Sequence, residues 1–195
     1  MIISNKKKFI YFAIGKTGTT SIESYLNQFH DDKKFYKHAS PESVGTEKIS
    51  EYFTFCFVRN PWDRLISMYK QFQKPNNLDI AIRKKHYTIS NKYKFIDYVK
   101  KLDEKFFQDH KQNRYYLHNG TPLRFIGRFE NLQEDFDTVC DLIKIKRGNL
   151  RYKNKSSYQS RRKHYSEDYD DETRRIVAEG WAEDIEYFNY NFGKE

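Results

Sequence analysis

The sequence predicts an α/β fold of P-loop-like, three-layer design, with a central, mainly parallel sheet flanked by helices. Three observations predict it. Short apolar, aromatic and β-branched runs alternate with stretches of helical periodicity. Those runs are apolar along their whole length, as strands are when helices cover both sheet faces. Twice, a strand candidate passes into a helix candidate through a turn that carries basic residues. In such sheets ligands bind at the carboxyl ends of the strands, and both basic junctions fall there.

The first strand is Phe9 to Ile14. Gly15 and Gly18 then supply the backbone freedom of a tight turn. Thr19, Thr20 and Ser21 stand where a helix is capped, and Ile22, Tyr25, Leu26 and Phe29 share one helical face. A strand, a glycine turn with a lysine and hydroxyls, and a helix start together suit a phosphate-like anion. Backbone N–H groups and the helix dipole favour negative charge there, and Lys16 adds a full positive charge. The loop is shorter than the Walker A pattern. Gly15, Lys16 and Thr17 supply its last three residues, but Ile10 stands where its first glycine belongs.

A polar connection follows from His30 to Lys34, and Ser40, Pro41 and Glu42 read as a helix start. Tyr52 to Val58 is the second strand. It runs into Arg59, Asn60 and Pro61, then a helix through Leu65, Ile66, Met68, Tyr69 and Phe72. Lys74 to Lys94 is polar and irregular, with a turn signal at Pro75, Asn76 and Asn77. Tyr93 to Leu102 reads as an amphipathic helix, and Asp109 to Arg114 as a loop or short helix. Leu123 to Phe129 is the third strand. Glu130 to Ile143 is a helix with Leu132, Phe136, Val139, Cys140 and Ile143 on one side. Arg147 to Lys163 is a basic, apolar-poor loop; a helix over Asp170 to Glu179 and an aromatic tail over Trp181 to Phe192 follow.

A length of 195 residues suits one domain over residues 1–195. With 17% aromatic residues the chain has the means to build a core, which argues against disorder. The formal net charge of +9 suits an anionic ligand. Cys56 and Cys140 lie in apolar patterns and read as buried free thiols, with a single disulfide between them the lesser alternative, and no Cys/His spacing suggests zinc. The basic start of the chain lacks the apolar stretch of a signal peptide and no segment has transmembrane length, so a cytoplasmic protein is expected.

Taken together, the two junctions resemble those of sulfotransferases that use 3′-phosphoadenosine 5′-phosphosulfate (PAPS). The chain is most similar to the carbohydrate enzymes of the heparan sulfate 2-O, chondroitin and HNK-1 type. The segment Ile14 to Ser21 resembles the family's 5′-phosphosulfate loop. The segment Phe57 to Tyr69 resembles its 3′-phosphate motif, with Arg59 and Ser67 in the key places. Phe125 to Leu132 and Asp168 to Phe192 are weaker matches. The resemblance implies that Lys16, Thr17, Gly18, Thr19, Thr20 and Ser21 hold the 5′ end of the donor, while Arg59 and Ser67 hold its 3′ phosphate. An arginine fork suits phosphate oxygens.

The resemblance also implies in-line transfer of a sulfuryl group to a carbohydrate or other hydroxyl acceptor, leaving adenosine 3′,5′-bisphosphate. Lys16 would neutralise charge on the departing phosphate. The scheme needs no metal, no nucleic-acid partner and no membrane span. His38, between the two motifs, is the expected base, since a neutral imidazole suits removal of a hydroxyl proton near pH 7. Glu23 and Glu42 are alternatives. His110 resembles the histidine of a family His-x-x-Pro-Gln stretch, from which Gln112 and Asn113 depart, and is expected to have a substrate or structural role. His30, His86, His118 and His164 are expected at the surface. The basic segment 147–165 is either a solvated charge run or a loop closing over an anionic ligand.

The residues alone leave two other readings open. A small ATP-dependent kinase needs a Mg²⁺-binding carboxylate at a strand end, where this chain has Arg59 and Asn60. A non-catalytic basic module predicts salt-dependent polyanion binding without nucleotide preference.

Overall fold

A computed structural model of the chain describes residues 1–31, 39–75, 81–150 and 164–194. Its strands are β1 (Ile2–Ser4), β2 (Phe9–Phe12), β3 (Phe53–Val58), β4 (Leu117–His118), β5 (Thr121–Pro122) and β6 (Phe125–Arg128). Its helices are α1 (Thr19–Leu26), α2 (Thr46–Glu51), α3 (Pro61–Phe72), α4 (Ala81–Lys92), α5 (Phe95–Val99), α6 (Glu104–Asp109), α7 (Asn113–Tyr116), α8 (Leu132–Leu142), α9 (Asp171–Gly180) and α10 (Ala182–Phe188). They form two compact units: Met1–Arg59 with Gln112–Ser157, and Asn60–Lys111 with Tyr158–Glu195.

The first unit holds a four-stranded sheet in the order β1-β2-β3-β6. The pairs β2/β3 and β3/β6 are parallel, and β1 joins antiparallel to β2. The predicted α/β class with a mainly parallel sheet is therefore the one found. Phe9, Tyr11 and Ala13 of the first strand segment share a core with Phe55 and Phe57 of β3. Ile22 and Leu26 of α1 and Phe136, Val139 and Cys140 of α8 complete that core. The Tyr11 and Phe55 rings lie 5.3 Å apart. Ile10, Phe12, Cys56 and Val58 alternate to the opposite face and are equally buried, which explains the unbroken apolar runs.

β1 is an addition to the sequence reading. It is three residues long, and the lysine turn that follows it, with Lys8 at φ 53, masks it. A second small sheet is a hairpin, β4 with β5. It turns on Asn119 (φ 48) and Gly120 (φ 76), the residue types a left-handed two-residue turn requires. The expected helix at Pro41 is a single 3-10 turn, Pro41–Ser43.

The second unit is helical. Pro61 occupies the first turn of α3, and the Asn60 side chain caps it by accepting from the Trp62 N–H at 3.1 Å. Asn60 Nδ2 donates to the Tyr165 hydroxyl at 3.1 Å and to the Asn191 carbonyl at 3.3 Å. The aromatic tail thus packs beside the start of α3, where the Phe192 ring meets Trp62 at 5.5 Å. Trp181 fills the interior and donates from Nε1 to the Phe107 carbonyl at 3.0 Å.

Two expectations fail in this unit. The polar stretch Lys74 to Lys94 contains a full helix, α4. His86 on that helix is buried rather than exposed, stacked on Phe72 at 4.9 Å and paired through Nδ1 with the Tyr98 hydroxyl at 3.3 Å. In the first unit His30 is half-buried, and its Nδ1 accepts from the Ile3 N–H at 3.1 Å. Both cysteines are buried free thiols, as expected. Burial pushes both up, Cys140 to about 11. Among the described residues, no helix is long and apolar enough to cross a membrane.

Candidate active site

Parallel pairing sets the site. The register matches Phe12 with Cys56 and Val58 with Arg128. The chain segments leaving β2, β3 and β6 therefore emerge at one edge of the sheet. They are the Gly15–Gly18 loop, Arg59 and Phe129. All three belong to the first unit.

The loop is built from its backbone. Lys16 has φ 73 and Gly18 has φ 80, both left-handed. Glycine adopts that conformation at no steric cost, whereas a lysine there is strained. Thr17 is fully buried, and its hydroxyl donates to the Ile14 carbonyl at 2.9 Å, closing the turn from inside. What Thr17 can offer a ligand is thus its backbone N–H. Gly18 is required twice over: besides its φ, a Cβ there would stand 2.7 Å from Leu132 Cδ2. The third motif, which contains Leu132, is therefore the wall against which the loop rests.

Gly18 is the N-cap of α1. Its carbonyl accepts from Ser21 N–H at 3.0 Å and from Ile22 N–H at 3.2 Å. The N–H groups of Thr19 and Thr20 precede that ladder. The first turn carries no acidic side chain, so nothing there opposes an anion at the positive end of the helix dipole. Lys16, Gly18, Thr19 and Ser21 are half-buried and Thr20 is exposed.

Arg59 joins the second motif to this loop. Although 4% exposed, it reaches the Lys16 carbonyl with Nη1 at 3.0 Å. Its guanidinium lies over the Phe129 ring, 4.0 Å from the centroid, a cation–π contact. Gln112, fully buried, grips the Arg59 backbone at both ends. Its Oε1 accepts from the Arg59 N–H at 2.9 Å, and its Nε2 donates to the Arg59 carbonyl at 3.0 Å. Sequence reasoning missed Gln112 and Phe129. Gln112 stands two residues after His110 and Phe129 lies inside the third motif, but neither residue type by itself signals a site.

The remaining expected site residues belong to other elements. Ser67 is half-buried on α3, in the second unit. His110 ends α6 in that same unit, and its Nδ1 donates to the Phe106 carbonyl at 2.7 Å. Its own carbonyl accepts from Arg64 Nη1 at 2.7 Å, and its ring lies 4.4 Å from that of Phe106. These contacts give His110 a structural place, with Nε2 the lone-pair nitrogen of the neutral ring. Of the alternative bases, Glu23 lies on α1 with its Oε1 3.8 Å from the Met1 amino group, and Glu42 is exposed. His38 lies outside the described residues, as do residues 151–163 of the basic segment.

The residues fit a phosphate-bearing group. Backbone donors of the Lys16 loop and the Arg59 guanidinium meet at one strand edge, and the first turn of α1 carries no acidic side chain. Comparison with known proteins gives the family. The chain is 33% identical over 103 residues to an uncharacterized protein of Archaeoglobus fulgidus, an alignment covering 51% of this chain and 74% of that protein. No solved structure matches it. The model of the Sulfotransferase family matches residues 1–191, from the first strand to beyond the last helix. The chain belongs to the sulfotransferase family, enzymes that move a sulfuryl group from a donor to an acceptor.

Proposed function

We propose that this sulfotransferase uses PAPS as donor and a hydroxyl of a carbohydrate as acceptor, with residues 1–195 acting as one catalytic domain. The observation that carries the donor reading is the contact of Arg59 with the Lys16 loop. It gathers cationic and backbone donors from two separate motifs at one strand edge, as a nucleotide with phosphates at both its 3′ and 5′ positions would require. When bound, PAPS supplies an activated sulfuryl group, and adenosine 3′,5′-bisphosphate is what remains.

In this reading the N–H groups of Thr17, Gly18, Thr19 and Thr20, with the Thr19, Thr20 and Ser21 hydroxyls, orient the 5′ end. Lys16 offsets the charge that grows on the leaving phosphate. Arg59 meets the 3′ phosphate in bidentate fashion, and Ser67 is assigned a hydroxyl contact to it on its motif alone. His38 takes the proton of the acceptor hydroxyl, and His110 serves the acceptor side or the fold. A kinase reading is disfavoured because β3 is followed in the chain by Arg59 and Asn60 rather than by a carboxylate.

The test is a transfer assay with sulfate-labelled PAPS against mono- and oligosaccharides, phenols, simple alcohols and lipid-linked sugars. Label on a sugar hydroxyl supports the proposal. Label on non-sugar acceptors alone overturns the carbohydrate assignment, and no transfer to any acceptor overturns the donor as well. His38→Ala should cut turnover by about 10²–10⁴-fold while nucleotide binding survives.

A further inference from the structure

Resting on the PAPS reading above, we propose that Gln112 and Phe129 are positioning residues. They preset the Arg59 guanidinium as the fork that reads the 3′ phosphate, and so set the preference for a 3′-phosphorylated nucleotide over one that lacks that group.

A free arginine side chain has many rotamers, and freezing it on a ligand costs entropy. Here it is already held at three points within one unit. Arg59 lies one residue past the end of β3, where ladder pairing stops. The Gln112 amide takes over the role of a neighbouring strand, accepting from the Arg59 N–H and donating to its carbonyl. Phe129 covers one face of the guanidinium. Such stacking fixes the plane in which the guanidinium N–H groups lie. The Lys16 carbonyl fixes the tip through Nη1.

Neither positioning residue is itself equipped to read a phosphate. The Gln112 donor lies on the Arg59 carbonyl, and Phe129 has no polar atom. Any effect of either on nucleotide choice therefore passes through Arg59. Register supplies the reason for their placement: Val58 pairs with Arg128, so the residues that follow them, Arg59 and Phe129, leave the sheet side by side. Gln112 comes from the turn before α7.

Isothermal titration of the wild type, Gln112→Glu, Gln112→Met and Phe129→Leu tests this. Each is titrated with adenosine 3′,5′-bisphosphate and with adenosine 5′-monophosphate. Gln112→Glu keeps the shape but sets a carboxylate against the Arg59 carbonyl, and Gln112→Met removes both hydrogen bonds. The ratio of the two affinities should fall about tenfold or more in the Gln112 variants and about fivefold in Phe129→Leu. The monophosphate affinity should fall much less than that for the bisphosphate, because Arg59 reaches the 5′ loop only through the Lys16 carbonyl. A merely structural role lowers both affinities together and leaves the ratio unchanged, and that result overturns the proposal. If neither Gln112 variant folds, the ratio in Phe129→Leu decides by the same criterion. A wild type without bisphosphate preference overturns the donor reading and this inference with it, whereas a preference that survives all the variants overturns this inference alone.

Discussion

The guanidinium of Arg59 donates through Nη1 to the backbone carbonyl of Lys16 across 3.0 Å, although 43 positions separate the two residues in the chain. Parallel pairing of β2 with β3 makes the contact possible, because both strands end at the same sheet edge. The carbonyl it reaches belongs to a residue held at positive φ. The arginine thus braces the strained turn as well as adding charge beside it.

Arg59→Lys should therefore fail despite keeping the charge. A lysine offers no planar fork and stacks less well on Phe129. Affinity for adenosine 3′,5′-bisphosphate should drop by about 10–100-fold, the loss expected for a charge-assisted, bidentate contact. Calorimetric titration measures it; affinity within twofold of the wild type would show that Arg59 does not read the nucleotide.

Lys16 permits a test in which stability and activity separate. Lys16→Ala and Lys16→Gly both remove the ammonium group, and both should lower transfer by about 10²–10³-fold. The alanine keeps a Cβ at φ 73, whereas the glycine does not. Lys16→Gly should therefore be more stable than Lys16→Ala by about 1 kcal/mol, read from denaturant midpoints. Equal stability would mean that the turn is not strained at this residue, and retained transfer in either variant would move the leaving-group role elsewhere.

Much of this was legible in the sequence because the chemistry of the site is local. The strand, the glycine turn and the helix start lie within Phe9 to Leu26, and the second strand with its arginine lies within Phe53 to Phe72. What was not legible depends on tertiary partners. The buried positions of α4 include His86 and Ser90, polar types that a search for apolar periodicity passes over. Gln112 looks like a surface residue until the Arg59 backbone supplies its two hydrogen bonds. The strands β1, β4 and β5 are three or two residues long, too short for an alternation pattern to show.

His86 gives the fold a pH dependence with a definite sign. Burial first, and then the neighbouring His110, push its imidazole down from the ordinary histidine value to about 4. The unfolded chain takes up this proton near pH 6.5 and the folded chain does not, so the stabilising contribution is complete above about pH 6.5. It is lost as pH falls through the window down to 4. Scanning calorimetry should show Tm falling across that window. His86→Phe should fall less steeply there, even though it starts lower for want of a partner to the Tyr98 hydroxyl. Parallel slopes in the two proteins would contradict the assignment. Below pH 4, protonation of Asp170, whose carboxyl hydrogen bonds from Thr173 hold below the usual range, acts on both proteins alike.

The central claim is that the Lys16 loop and Arg59 together receive one nucleotide phosphorylated at both 3′ and 5′ positions. Thermal unfolding of the wild type with adenosine 3′,5′-bisphosphate alone, set against ATP with Mg²⁺, tests it most directly. A ligand at about 100 times its Kd adds roughly 2.7 kcal/mol to stability, so the bisphosphate should raise Tm by several degrees without metal, while ATP with Mg²⁺ raises it far less. A larger shift with ATP and Mg²⁺, or none with the bisphosphate, would contradict it.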